Sequence, residues 1–204
     1  MSDVVTVFAR LVPRARIARV AAVAACALLP ACASLAPADD AASTSPPLPL
    51  LSPASLGASL QAEQVLHVAY GSDEHSLQCV VRDDAKSLSL ICLTGMGQRV
   101  FTLDYDGSDL KTWRAPFAPD AIDPQRIVAD LQFAYWPLPA LKSAWQIGET
   151  QVIEPRPGLR RLIHGDRIVA EVHSATADRF PARLWLVNFV YGYPLDIDSQ
   201  MLAP

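Results

Sequence analysis

A mainly β fold of the α+β class, organised as a mostly antiparallel sheet with a helical insertion, is what this 204-residue chain predicts. Three observations carry that expectation. Short strand-like runs recur along the chain with Gly, Asp or Pro in the gaps. Neighbouring runs pair as hairpins whose apolar residues fall on one face. Helical periodicity is concentrated between residues 123 and 145.

Residues 64–70 open the series of strands. Residues 77–82 and 87–94 then flank the polar turn Asp83-Asp84-Ala85-Lys86. A two-residue turn centred on Ala85 and Lys86 sets Cys79 directly opposite Cys92 and gathers Leu77, Val81, Leu88 and Leu90 on the same face. A cross-strand disulfide between Cys79 and Cys92 is therefore expected, with two buried free thiols acting as small hydrophobes as the alternative. Residues 99–105 and 109–115 continue the sheet. Asp123 can then cap a helix with Pro124 in its first position; Ile127, Val128, Leu131 and Tyr135 recur at helical spacing until Pro137 stops it. A second short helix is expected over residues 139–145, and strands over 151–154, 159–164, 167–174 and 183–191.

In the hairpin around Gly165-Asp166, a two-residue turn puts Arg160 opposite Glu171 on the outer face and Ile163, Ile168, Ala170 and Val172 on the inner face. The same register turns Arg161 inward. That marks either a functional cation or a wrong turn length, and the second is preferred. An amphipathic helix between two groups of strands can pack across the open face of a curved sheet, leaving a filled core or a ligand cavity.

The N-terminus carries an address. Arg10, Arg14, Arg16 and Arg19 precede an apolar run at residues 20–29, far shorter than the roughly 20 residues of a membrane span. Leu29-Pro30-Ala31-Cys32 then reads as a lipoprotein processing site, with Cys32 the residue to be acylated. Val23-Ala24-Ala25-Cys26 is a competing match that leaves too short an apolar run, and a plain signal peptide cleaved after Ala31 or Ala33 is the alternative. Ala33 and Ser34 follow, without an inner-membrane retention aspartate, so lipid anchoring on the periplasmic face of the outer membrane is expected. The expected organisation is a signal peptide over 1–31, an anchor with a disordered Ala/Ser/Pro tether over 32–55, and one domain over 56–204.

Removing residues 1–31 changes 17 basic and 21 acidic residues to 13 and 20, a formal charge of −7 in place of −4. Nucleic-acid binding is disfavoured on that account. Enzymatic readings also find little support. His67, His75, His164 and His173 show no standard metal spacing, and Gly95-Met96-Gly97 lacks the third glycine and following helix of a dinucleotide loop. No Gly-x-Ser-x-Gly elbow occurs. Neither catalysis, a cofactor nor a metal is expected.

The segment Leu93-Thr94-Gly95-Met96-Gly97-Gln98, the turn Asp104-Tyr105-Asp106-Gly107, and the run from Trp136-Pro137-Leu138-Pro139 to Ala144-Trp145 resemble the LolB family of outer-membrane lipoprotein acceptors in order and spacing. They resemble more closely still an uncharacterised LolB-like lipoprotein family encoded with aryl-polyene pigment clusters. The resemblance spans roughly residues 48–200. It implies an open β half-barrel of the LolA/LolB type with a helical lid and an apolar concavity for acyl or polyene chains. It also implies a monomer served by a LolA-like periplasmic carrier, and a protruding hook whose matching residue here is Met96. Flanking glycines suit a turn that projects one flexible apolar side chain, although such a residue can equally cover a sheet edge.

Phe101, Leu103, Leu131, Tyr135, Trp145, Trp185 and Phe189 are the candidate lining residues. The same periodicity suits a filled core. The expected function is to receive a lipidic cargo and help deliver it to the membrane. The alternatives are a scaffold lipoprotein of a biosynthetic or export complex and, less favoured, a lipid hydrolase or acyltransferase.

Overall fold

In the computed structural model, residues 48–70, 73–118 and 123–202 are described. Five strands come first: β1 (Leu60–Tyr70), β2 (Asp73–Asp83), β3 (Leu88–Thr94), β4 (Arg99–Tyr105) and β5 (Leu110–Arg114). Two helices follow, α1 (Pro124–Tyr135) and α2 (Leu138–Trp145). Five more strands complete the chain: β6 (Thr150–Arg156), β7 (Leu159–His164), β8 (Arg167–Ser174), β9 (Arg183–Asn188) and β10 (Tyr193–Met201).

All ten strands form one antiparallel sheet in the order β5-β4-β3-β2-β1-β10-β9-β8-β7-β6. Each half is a meander, and the first and last strands meet in the middle. No ladder joins the edges β5 and β6, so the sheet is an open half-barrel. The helices link those two edges and bury Val128, Leu131, Phe133, Tyr135, Leu141 and Trp145 against the sheet. They form its lid.

Local chemistry explains most of the boundaries. Asp123 accepts the Gln125 N–H at 3.0 Å and caps α1, and Pro124 starts it without sacrificing a hydrogen bond. In the β2–β3 turn, Asp84 Oδ1 accepts the N–H groups of Lys86 and Ser87, while Ala85 adopts φ 69°. That turn sets the expected register, Cys79 facing Cys92, and the two sulfurs are bonded. In the β4–β5 turn, Asp106 accepts from Ser108 and Asp109, and Gly107 at φ 98° lets Pro53 and Ser52 approach to within 3.4 Å of where a Cβ would stand.

Several expectations need correction. The tether was expected to run to residue 55, yet residues 48–55 pack along the lid as a strap. Leu51 is buried, and its N–H and C=O pair with the Gln132 side chain at 2.9 and 2.7 Å. Trp145 Nε1 donates to the Pro49 carbonyl at 2.8 Å and Trp136 Nε1 to Ser55 Oγ at 2.9 Å. β10 was not anticipated, because Pro194, Asp196 and Asp198 mask its period-two apolar side of Tyr193, Leu195 and Ile197. β9 ends at Asn188, and residues 189–191 belong to the turn before β10.

The β7–β8 hairpin does have its two-residue turn, with His164 opposite Arg167, but a bulge between Leu162 and Ile163 shifts everything beyond it. Arg161 therefore pairs with Glu171, its Nε 2.6 Å from Oε1. Arg160 is the inward cation, Val169 is buried, and Ile168 is exposed. Arg160 Nη1 donates to the carbonyls of Phe133 and Trp136 at 2.6 and 2.9 Å, placing a positive charge at the C-terminal end of α1. Burial lowers its pKa, and Glu154, 3.8 Å away, opposes that.

The strand ends define two rims. One, the mouth rim, carries the β3–β4, β7–β8 and β9–β10 turns, the end of β5 and the link from α2 to β6. The other, the base rim, carries the β2–β3, β4–β5, β6–β7 and β8–β9 connections and the α1–α2 junction.

Candidate functional site

Between α1 and the centre of the sheet lies a cavity of about 600 Å³. Its walls follow from strand alternation: Leu66 and Val68 of β1, Leu77 of β2, Leu90 of β3, Phe101 of β4, Leu186 of β9, and Tyr193, Leu195 and Ile197 of β10 all face inward. Ile127, Leu131, Ala134 and Tyr135 of α1 form the roof. The lining is predominantly apolar, and the volume falls in the usual range for small-molecule sites.

The base end is shut by a hydrogen-bonded trio. Gln64 Nε2 donates to Tyr135 Oη at 2.6 Å and to Ser199 Oγ at 3.0 Å, so a buried amide and phenol are both satisfied. Burial raises the Tyr135 pKa, which keeps the phenol neutral. Towards the mouth the cavity reaches Thr94 and the exposed His75 and Phe117.

One wall near the mouth is polar. Tyr193 Oη donates to Asp130 Oδ2, Asn188 Nδ2 donates to Tyr193 Oη at 3.5 Å, and the Arg126 guanidinium lies over the rings of Tyr191 and Tyr193 at 4.3 and 5.3 Å. Burial pushes Asp130 up to about 6, against the Tyr193 hydrogen bond and the Arg126 charge. Burial, then the Asp130 charge, pushes Tyr193 well above the usual phenol range. This cluster can offer hydrogen bonds and one cation to the polar part of an otherwise apolar ligand.

The candidate residues divide as follows. Phe101, Leu131 and Tyr135 line the cavity. Leu103 is fully buried without reaching it, and Trp145 packs on Phe133 at a 6.1 Å centroid distance beneath the strap. Trp185 and Phe189 do not line it either: Trp185 is 41 % exposed on the outer face against His173, and Phe189 is 52 % exposed in the β9–β10 turn. The parity of β9 explains Trp185, since Leu184 and Leu186 take the inward positions. Met96 stands 84 % exposed at the tip of the β3–β4 turn, where the Gly97 N–H closes on the Thr94 carbonyl at 2.8 Å. Cys79 and Cys92 are buried in the sheet below the cavity. Cys32 lies outside the described residues.

The lining residues of β1 and β10 and the Arg126, Asp130 and Tyr193 cluster were missed. The alternation Gln64, Leu66, Val68 and the period-two set of β10 were the available signals. Nothing in the sequence marked the polar cluster, because it assembles from α1 and β10, more than 60 residues apart in the chain.

Among the described residues, no group of three or more His, Cys, Asp and Glu could hold a metal ion. No described helix is long and apolar enough to cross a membrane. No curated protein matches the chain. A family model does, described as "Protein of unknown function (DUF3261)", and it covers residues 61–201, from β1 to the end of β10. The whole sheet and its lid lie in that match, and the chain belongs to the DUF3261 family.

Proposed function

We propose that this protein is a lipid-anchored outer-membrane lipoprotein that receives an amphiphile in the concavity beneath α1 and passes it to the membrane. The cavity of about 600 Å³ between sheet and lid is the observation that carries this reading. An apolar chain would partition into it because burial removes apolar surface from water, and release would follow from a higher affinity of the membrane for the same chain. No nucleotide and no covalent chemistry are needed.

The LolB-like order of motifs supports a cargo of lipoprotein acyl chains or aryl-polyene lipid delivered by a LolA-like carrier. Acylated Cys32 would keep the domain at the membrane, and Met96, held out by its turn, would serve as the hook that meets lipid or the carrier. Native mass spectrometry of the purified mature protein tests the proposal. Co-purifying lipid, or stoichiometric uptake of an offered single-chain amphiphile, is expected. A protein that stays empty with both would overturn it and favour a scaffold role.

A further inference from the structure

Among the described residues, the large apolar side chains exposed in loops are confined to one rim. Met96 in the β3–β4 turn is 84 % exposed, Phe117 after β5 60 %, Ile147 after α2 62 %, and Phe189 and Tyr191 in the β9–β10 turn 52 % and 43 %. All five belong to the mouth rim. Among the described residues, the loops of the base rim expose no large hydrophobic side chain, and Met201, 38 % exposed at the close of β10, stands at that end on a strand; two of the base loops are the acidic turns built on Asp84 and on Asp106 and Asp109. Single exposed apolar residues are ordinary on any surface, whereas their segregation to one end is not explained by chance exposure.

The course of the strap supplies an independent observation. The Pro49 carbonyl accepts from Trp145 at the C-terminal end of α2, on the mouth side, and a few residues later Ser52 and Pro53 lie against Gly107 at the base rim. The chain preceding residue 48 therefore joins the domain at the end that carries the apolar loops. Fifteen residues separate Cys32 from Leu48, and even fully extended they reach only about 50 Å.

We infer that the mouth rim is a membrane-docking surface: these loops enter the headgroup boundary of a phospholipid bilayer and hold the cavity mouth against it, with the base rim facing away. The inference rests on the reading of Cys32 as the anchor but not on the identity, or even the existence, of a cargo. It extends the hook from one residue to a ring of loops. A ligand could then pass from cavity to bilayer without crossing water.

Depth-dependent quenching tests the orientation. The mature protein, reconstituted in phosphatidylethanolamine/phosphatidylglycerol vesicles with and without bromine-labelled acyl chains, is compared with three variants: Phe117→Trp, Ile147→Trp and Lys86→Trp. The added emission at 117 and 147 is expected to fall more than twofold in brominated vesicles, with no change at 86. Combining Phe189→Glu with Ile147→Glu in the Phe117→Trp background should abolish that quenching while the sheet's circular dichroism is retained.

Equal quenching at all three sites, or none at 117 and 147, would overturn the proposal. If mass analysis finds Cys32 unacylated, the same protein is added to preformed vesicles, and the same contrast between 117 and 86 decides. An empty cavity in mass spectrometry would refute the carrier function while leaving this contrast unaltered.

Discussion

Asp83 ends β2 on the buried face of the sheet, 1 % exposed, and is the best place to perturb the fold through pH. Its Oδ1 accepts the Ala85 N–H at 2.9 Å, but Oδ2 is buried with no hydrogen-bond partner. Burial pushes its pKa from the ordinary 3.8 up to about 6; the Ala85 N–H opposes this and the Asp84 charge adds to it. Between those values the unfolded chain ionises before the folded one, so the folded state holds the extra proton. Stability is therefore lost as pH rises through that window, and the loss is complete above about pH 6. The difference between the two pKa values corresponds to about 3 kcal/mol at most.

Asp83→Asn keeps the Oδ1 acceptor and removes the charge. The amide's own unmatched N–H costs about 1–3 kcal/mol at every pH, so the informative quantity is the change with pH, from which that cost cancels. Asp130, also raised to about 6, titrates in both proteins and cancels too. Urea unfolding at about pH 4 and about pH 7.5 should show the variant gaining 2–3 kcal/mol relative to the parent, roughly the full linkage energy. Stability curves that run parallel over this range would refute the buried, unpaired carboxylate.

Four further outcomes follow from the same geometry. Gln132→Leu leaves both backbone groups of Leu51 unpaired, at about 1–3 kcal/mol each; a lower urea midpoint and faster proteolysis near residue 51 should both appear. Arg160→Met removes two charge-assisted hydrogen bonds to the end of α1 and should cost about 2–4 kcal/mol, whereas Arg161→Met, at a partly exposed pair on the outer face where Glu171 keeps His173 as a partner, should cost less, about 1. Replacing Cys79 and Cys92 with Ala should cost about 2–4 kcal/mol in thermal or urea unfolding, and a reductant should then shift the parent but not the variant. Leu66→Trp, which fills the cavity from β1, should abolish lipid co-purification in native mass spectrometry without lowering the melting temperature.

The strands flanking tight turns were legible because turn chemistry and face alternation agree there. Asp84 and Ala85 fix the β2–β3 register to the residue, and β4, β7 and β8 have the bounds their composition predicts. Legibility failed where long-range contacts decide. The strap looks like a tether by composition, and only Gln132, Trp136 and Trp145, more than 80 residues away, make it structured. The bulge at Leu162 and Ile163 leaves no mark in composition, yet it exchanges the roles of Arg160 and Arg161. The inward Arg161 of the simple register was thus a sign of the bulge rather than of a functional cation.

Aromatic content pointed towards the cavity, but most aromatic volume went elsewhere. Trp136, Trp145 and Phe133 pack the α1–α2 junction and the strap, while aliphatic residues on β1, β9, β10 and α1 frame the void together with Phe101, Tyr135 and Tyr193. The lid therefore has a solid side and an open side, and the open side bears on function. The cavity is open at its mouth, so it admits water or holds an apolar occupant. Water gains little against the apolar part of these walls, so an amphiphile that displaced it there would stabilise the folded state by mass action, by about 2.7 kcal/mol at a hundredfold excess over its Kd. A melting temperature that rises with offered amphiphile, and does not rise for Leu66→Trp, is the thermodynamic result that the proposed carrier function requires.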